Sequence, residues 1–306
     1  MRTAFLGTPA AAVPSLAALA DLADVEVVIT RPDRPRGRSG RPAPPPIKTA
    51  AEQWGFRVEQ PETGEGLLDV LASYELDVAL VVAYGKILTP EMLATTRTGF
   101  VNVHFSLLPR WRGAAPVEWS IYEGDTRSGV SLMVIDHGLD TGPVISAAET
   151  EIDPTDTSGS LTACLAYIGA DLVNEMLLPY VEGRLQPAPQ LAAGVTQAPA
   201  LDRDIARIEP AWEVDRAERA VRAFHPRPGA WVEFEGRPLK ITKAEITSMP
   251  VPQGRVEPAD GGAALGLDGG SLRLLEVQSS GRRIQSGREW LNGRRGVGGE
   301  ITARVR

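Results

Sequence analysis

Apolar and polar positions fall into alternating blocks over the first half of this 306-residue chain. Thr3 to Leu6 is a short apolar run, closed by the turn residues Gly7-Thr8-Pro9 and followed by an alanine-rich helix to about Leu22. Val25 to Ile29 is continuously apolar, the pattern of a strand covered on both faces of a parallel sheet. Strand, helix and strand at this spacing make a βαβ unit. Arg31 to Pro46 holds six prolines and no period, which predicts a long loop. Helices are then expected at Lys48 to Gly55, Leu67 to Tyr74 and Pro90 to Ala94, and strands at Arg57-Val58, Val78 to Ala83, Gly99 to Phe105 and Val130 to Ile135. This alternation predicts an α/β domain with an open, mostly parallel sheet and helices on both faces.

Beyond Glu149 the texture changes. Asp156-Thr157-Ser158 opens a long helix, Leu161 to Val181, with apolar residues at helical spacing. Leu185 to Pro210 is rich in Ala, Pro and Gln without a period and is the best linker candidate. From Ala230 short alternating strands with glycine turns predict a smaller β-barrel or sandwich: Val232 and Phe234, Leu239 and Ile241, and Leu272 to Val277 after Asp268-Gly269-Gly270.

Apolar residues make up 43% of the chain and charged residues 23%, the proportions of a folded domain rather than a disordered one. The first 20 residues resemble a secretion signal superficially, but Gly7-Thr8-Pro9 and Pro14 interrupt the apolar core that a signal requires. With no run of about 18 apolar residues, no membrane span is expected. Cys164 is the single cysteine, which excludes an internal disulfide and fits a reducing compartment, so a cytoplasmic location is expected. Net charge is −7, yet residues 1–206 carry 15 basic against 26 acidic side chains, whereas residues 207–306 carry 17 against 13. The segment from Arg31 to Lys48, with Arg36, Arg38 and Arg41, is a second basic patch. Such asymmetry points weakly to a polyanionic partner.

No G-x-G-x-x-G follows the first strand and no G-x-x-x-x-G-K-[ST] occurs, so dinucleotide and P-loop readings lose their main support. Three histidines without metal spacing and one cysteine leave no zinc motif, and no metal is expected. The informative stretch is Val101-Asn102-Val103-His104-Phe105-Ser106-Leu107-Leu108-Pro109. On a strand Asn102 and His104 project to one face, and they stand at its carboxyl end, where ligands bind in open α/β sheets. An amide beside an imidazole suits a carbonyl whose oxygen becomes negative, since both can donate to it. A second stretch, Asp136-His137-Gly138-Leu139-Asp140-Thr141-Gly142-Pro143, brings a carboxylate to the same sheet edge. Asp136 and Asp140 compete for that role, Asp136 being also a turn cap, and His137 is expected to face solvent.

The Asn102-Val103-His104 stretch running into Ser106 to Pro109, then Trp111-Arg112-Gly113-Ala114-Ala115-Pro116 and Leu139-Asp140-Thr141-Gly142, resembles the folate-dependent formyltransferases. The likeness extends to Gly7-Thr8-Pro9, Thr30 to Asp33, Val82 to Gly85, Arg222-Ala223-Phe224 and Pro228 to Trp231. The tryptophan-arginine-glycine segment, the arginine-rich loop and the second domain place it nearest the members that act on tRNA. The resemblance implies a Rossmann-like catalytic domain over residues 1–184, a linker over 185–210 and an OB-like tRNA-binding barrel over 211–306. It implies transfer of the formyl group of 10-formyltetrahydrofolate to the methionine α-amine of initiator Met-tRNA. Asn102, His104 and Asp140 would then be catalytic, with His104 protonated beside the oxyanion. Ser106, Leu107, Leu108 and Pro109 would lie in the folate site, and Arg36, Arg38, Arg41, Arg282 and Arg283 would contact tRNA. A monomer is expected. The chain departs from the family pattern at Phe105, where glycine is usual, and at Ala200 and Pro210, where lysine and tryptophan are common.

The rival readings are a formyltransferase acting on an amino sugar, a 10-formyltetrahydrofolate hydrolase, and a non-catalytic RNA-binding protein. The first two share the trio, and the basic C-terminal region is what a small substrate would not need. The third would not require Asn102, His104 and Asp140 together.

Overall fold

The structure is a computed structural model that describes residues 1–35, 40, 42–259 and 261–304. Two compact units divide the chain. The first comprises residues 1–116, 128–150 and 162–198, and the second comprises 117–127, 151–161 and 199–306.

The first unit is built on a seven-stranded sheet in the spatial order Val144–Glu151, Arg127–Val134, Phe100–His104, Val78–Val82, Arg2–Gly7, Asp24–Ile29, Val58–Glu59. The strands from Phe100–His104 to Val58–Glu59 are parallel, and Arg127–Val134 joins antiparallel beside Phe100–His104. Apolar runs became the central strands because both of their faces are covered: every residue of Val78–Val82 is buried. Chain order runs outward from Arg2–Gly7 in one direction and then returns to Val78–Val82 on its other side. That reversal opens a crevice at the carboxyl ends of the strands.

Helix Ser158–Val181 runs over this sheet from Thr162 onward, burying Leu165, Val173 and Leu177. Its Gly169 approaches Val103 so closely that an added Cβ would lie 2.6 Å from a Val103 methyl. Val103 therefore faces the helix, and Asn102 and His104 face the opposite side. By length and composition alone this 24-residue helix would be apolar enough to cross a membrane. Asp171, Asn174 and Glu175 interrupt it, so it is not the unbroken run of about 18 apolar residues that a span would need. The stripe that makes it so apolar includes the residues it buries here.

The aperiodic stretch read as a linker divides between the units. Residues up to Ala198 belong to the first, where Gln197–Ala198 pairs in parallel with Arg112–Gly113. Backbone hydrogen bonds hold it, and these need no side-chain period.

The second unit carries an antiparallel sheet in the order Trp231–Phe234, Arg237–Thr247, Gly270–Ser279, Gly262–Leu267, Arg255–Ala259, Gly299–Glu300. Phe234 bridges Ile301, and the Thr302 amide donates to the Glu233 carbonyl at 2.8 Å, so the sheet curls until its edges nearly close. Val232, Phe234, Leu239, Ile241, Leu265 and Leu274 fill the interior, as inward residues of a small barrel do. Helix Gly287–Gly293 is fixed by a capping box between Ser286 and Glu289 and sets Trp290 edge-on to Phe234. In the same unit Tyr122, on helix Pro116–Tyr122, packs against Phe224 and Trp212, with ring centroids 5.0 and 6.1 Å away. Arg216 and Arg219 donate to its hydroxyl and its carbonyl. The α/β sheet and the barrel-like sheet are the architecture the hydrophobic pattern predicts.

Candidate active site

His104 ends the strand Phe100–His104 with 5% of its surface exposed, whereas Asn102, two residues earlier on the same face, is half-buried. The pairing of Asn102 with Met133 and of His104 with Ser131 on the antiparallel neighbour fixes both positions. His104 Nε2 lies 2.9 Å from the Trp111 carbonyl. A carbonyl only accepts, so Nε2 carries the hydrogen and Nδ1 is the ring's other face. Nδ1 lies 3.7 Å from Asp140 Oδ2. Burial pushes the imidazole below its usual value of 6.5, and the nearby Asp140 and the Trp111 carbonyl pull it up only in part. The resting ring therefore favours its neutral form, and the protonated ring that the sequence reading places beside the oxyanion is a state of the reaction rather than of the resting site. Desolvation of the cation outweighs one partly exposed carboxylate at this distance.

Asp140 is positioned by its own loop. Its φ is +52°, and Oδ2 accepts from the Gly113 amide at 2.8 Å. Gly113 must be glycine here, because at φ +127° a Cβ would lie 2.6 Å from the Ala198 carbonyl oxygen. Gly142 closes the loop against Val134, whose carbonyl oxygen would stand 1.9 Å from an added Cβ. The two acids separate clearly: Asp136 Oδ1 accepts from the Gly138 amide at 3.0 Å and from the Thr141 hydroxyl at 2.6 Å, an Asx turn that holds its own loop. Asp140 is the acid beside His104. His137 is exposed.

The turn Ser106 to Pro109 is pinned from both sides. The Ser106 hydroxyl donates to the Arg110 carbonyl at 2.6 Å. The buried Ser131 hydroxyl donates to the Ser106 carbonyl at 2.8 Å and accepts from the Leu108 amide at 3.0 Å. Leu107, Leu108 and Pro109 remain partly exposed, and Leu139 beside Asp140 is 63% exposed. Side-chain hydrogen bonds to backbone groups hold the turn, while its apolar side chains stay partly exposed.

Trp111, which closes the site over His104, sits at φ +62° and is buried; its amide donates to the Thr196 hydroxyl at 2.8 Å. Trp111, Gly113, Ser131, Gln190 and Thr196 support the site although no spacing in the sequence marks them for that role. Glycine at 113 was the one signal, within the Trp111 to Pro116 motif. Gln190 and Thr196 lie in the aperiodic stretch and act on residues 48 to 85 positions away.

Arg36, Arg38 and Arg41 lie outside the described residues. In the second unit, Arg282 and Arg283 are exposed at the turn after Gly270–Ser279. Arg294 instead pairs with Glu235 at 2.8 Å and covers the Phe234 ring at 4.7 Å.

The Formyl transferase family matches residues 1–177, and the Formyl transferase C-terminal domain matches residues 201–295. The methionyl-tRNA formyltransferase of Myxococcus xanthus strain DK1622 is 41% identical over 295 residues, 95% of either chain. That of Halorhodospira halophila strain DSM 244 / SL1 is 42% identical over 309 residues, 98% of either chain. Among solved structures, the N-formyltransferase from Helicobacter canadensis, in complex with folinic acid and dTDP-3-aminofucose, superposes with TM-score 0.69 at 18% identity, covering 88% of this chain and 97% of that one. HypX from Aquifex aeolicus in complex with tetrahydrofolic acid superposes with TM-score 0.68 at 16% identity over 95% of this chain, which spans about half of HypX. Those two superpositions establish the shared fold. Matched along both of its units and 41% identical to relatives of the same length, the chain belongs to the formyl transferase family, in its methionyl-tRNA formyltransferase branch.

Proposed function

We propose that this chain transfers the formyl group of 10-formyltetrahydrofolate to the methionine α-amine of initiator Met-tRNA, giving formyl-Met-tRNA for translation initiation. The observation that carries the reading is the buried His104, held between the Trp111 carbonyl and Asp140 at the carboxyl edge of the sheet. It stands in a chain whose relatives of equal length act as methionyl-tRNA formyltransferases. The folate co-substrate, bound at Ser106 to Pro109, supplies a formyl carbon already activated towards an amine.

The residues then divide the work by their atoms. Asn102 donates an amide N–H to the formyl oxygen as negative charge builds there. The neutral His104 takes the proton that the attacking amine must lose, because Nδ1 is its free face. The resulting imidazolium lies 3.7 Å from Asp140, which stabilises it until the proton passes to the departing nitrogen. Excluding water from a ring 5% exposed strengthens each of these interactions. No protein nucleophile is needed, since one N–C bond forms as the other breaks.

In this reading residues 1–184 are the catalytic part, 185–210 the connection and 211–306 the tRNA-binding part. Arg36, Arg38, Arg41, Arg282 and Arg283 meet the phosphates. The protein works as a cytoplasmic monomer. The test is formyl transfer from 10-formyltetrahydrofolate to charged initiator tRNA, a charged elongator tRNA and a nucleotide-linked amino sugar. Transfer to initiator Met-tRNA in preference to the other two is expected. Equal or better transfer to the amino sugar would move the substrate to the rival class, and formate release without transfer would make the protein a hydrolase.

A further inference from the structure

Gln190 stands outside every motif, yet its side chain meets the loop that carries Asp140. Nε2 donates to the Asp140 carbonyl at 2.9 Å and to the Gly142 carbonyl at 2.8 Å. Oε1 accepts from Arg112 Nε at 3.0 Å and from Nη2 at 2.7 Å. One orientation of the carboxamide satisfies all four bonds, because the two carbonyls only accept and the guanidinium only donates. The next residue along from Arg112, Gly113, gives its amide to the Asp140 carboxylate at 2.8 Å. The two-residue strand Arg112–Gly113 thus grips Asp140 twice, at its carboxylate directly and at its backbone through Gln190. Asp140 needs such a hold, since its φ of +52° is a conformation that L residues leave readily when nothing opposes them. The same strand follows Trp111, whose carbonyl holds the other face of His104.

We propose that Gln190 is a positioning residue that sets the distance between the Asp140 carboxylate and the His104 ring by clamping the Asp140 loop to Arg112. The inference rests on the formyl-transfer reading for its kinetic consequence, and its geometric consequence stands apart from that reading. Asp140 is the charged group set against the His104 ring among the described residues and the Trp111 carbonyl bonds its other nitrogen, so a retreat of the carboxylate removes its charge from the ring and leaves the carbonyl bond in place.

Two variants distinguish positioning from simple support. Gln190→Leu removes all four hydrogen bonds at nearly constant volume. Gln190→Glu keeps an acceptor for Arg112 but has no N–H for the two carbonyls. Gln190 is half-buried, and melting curves of both variants are the check that the fold is kept. The chain holds three histidines, so the His104 ring can be followed by NMR titration once His137→Gln and His225→Gln have assigned the other two. Both variants are expected to lower kcat by about tenfold or more, a loss typical of slight misplacement. KM for 10-formyltetrahydrofolate should change less than twofold, and His104 should titrate at a lower pH than in the unaltered protein. An unchanged His104 titration in both variants would overturn the proposal, as would a Gln190→Glu variant that behaves like the unaltered protein while Gln190→Leu does not. If the unaltered protein transferred no formyl group, the functional reading would fall and the NMR titration alone would decide the role of Gln190.

Discussion

The two places where this chain is proposed to meet its substrates are organised in opposite ways. Around His104 the supports are tied: one ring nitrogen to a carbonyl, the Asp140 carboxylate to an amide, the turn to Ser131. At Arg282 and Arg283 the cations stand exposed on a turn. Bond making needs groups held within a fraction of an ångström, because the stabilisation they give is lost if they must reorganise as charge develops. Phosphate contact needs charge in the right region and tolerates side-chain freedom. Arg294 shows the cost of combining the two, since its ion pair with Glu235 and its seat on Phe234 leave less of it to offer.

Substitutions should therefore differ in kind between the two places. The largest expected effect is on turnover at the fixed site. His104→Ala and Asp140→Asn should each lower kcat by roughly two or more orders of magnitude while tRNA binding changes little. Steady-state rates beside a filter-binding Kd check both halves, and a variant with unaltered kcat would remove that residue from the mechanism. Asn102→Ala should lose about 3 kcal/mol of transition-state stabilisation, read from kcat/KM as one missing oxyanion donor. Loss of the support behind the turn is a stability effect: Ser131→Ala leaves the Ser106 carbonyl and the Leu108 amide without their buried partner and should cost about 1–3 kcal/mol in a denaturant titration.

At the exposed place the signature is salt dependence. Arg282→Ala with Arg283→Ala should flatten the slope of log Kd for tRNA against log salt by about one unit per lost contact, with kcat at saturating tRNA retained. If that pair lowered saturating kcat as His104→Ala does, the contrast between the two places would be wrong. The smallest effect concerns acid stability. His104 is depressed below 6.5 when folded, so below about pH 6.5 the unfolded chain takes up the proton first. Stability is complete above that pH and declines as pH falls towards the folded value. His104→Gln should make the fall of Tm between pH 7 and pH 5 shallower.

The strands were legible because parallel-sheet strands must be apolar on both faces, and Val78 to Val82 and Phe100 to Val103 satisfy that with few exceptions. Asn102 is such an exception, and His104 closes the same strand; alternation alone put the two on one face. Spacing could not choose between Asp136 and Asp140, since both follow the same strand in a glycine-bearing loop. The choice shows only in what each oxygen accepts. Gln190 and Thr196 escaped the pattern for a different reason. Hydrogen bonds from a side chain to a distant backbone leave no period.

The packing around Tyr122 sets an order in time. Its hydroxyl is bonded by Arg216, 94 residues further along the chain, and its ring by Phe224 beyond that. At ribosomal speeds of about 5–20 residues per second, helix Pro116–Tyr122 emerges on the order of ten seconds before those partners are made. Over that interval the first unit can assemble from its own strands up to Val144–Glu151 while the aromatic face of Tyr122 waits in water. A nascent chain halted before Trp212 would hold a nearly complete α/β sheet and a tyrosine helix still without these later partners.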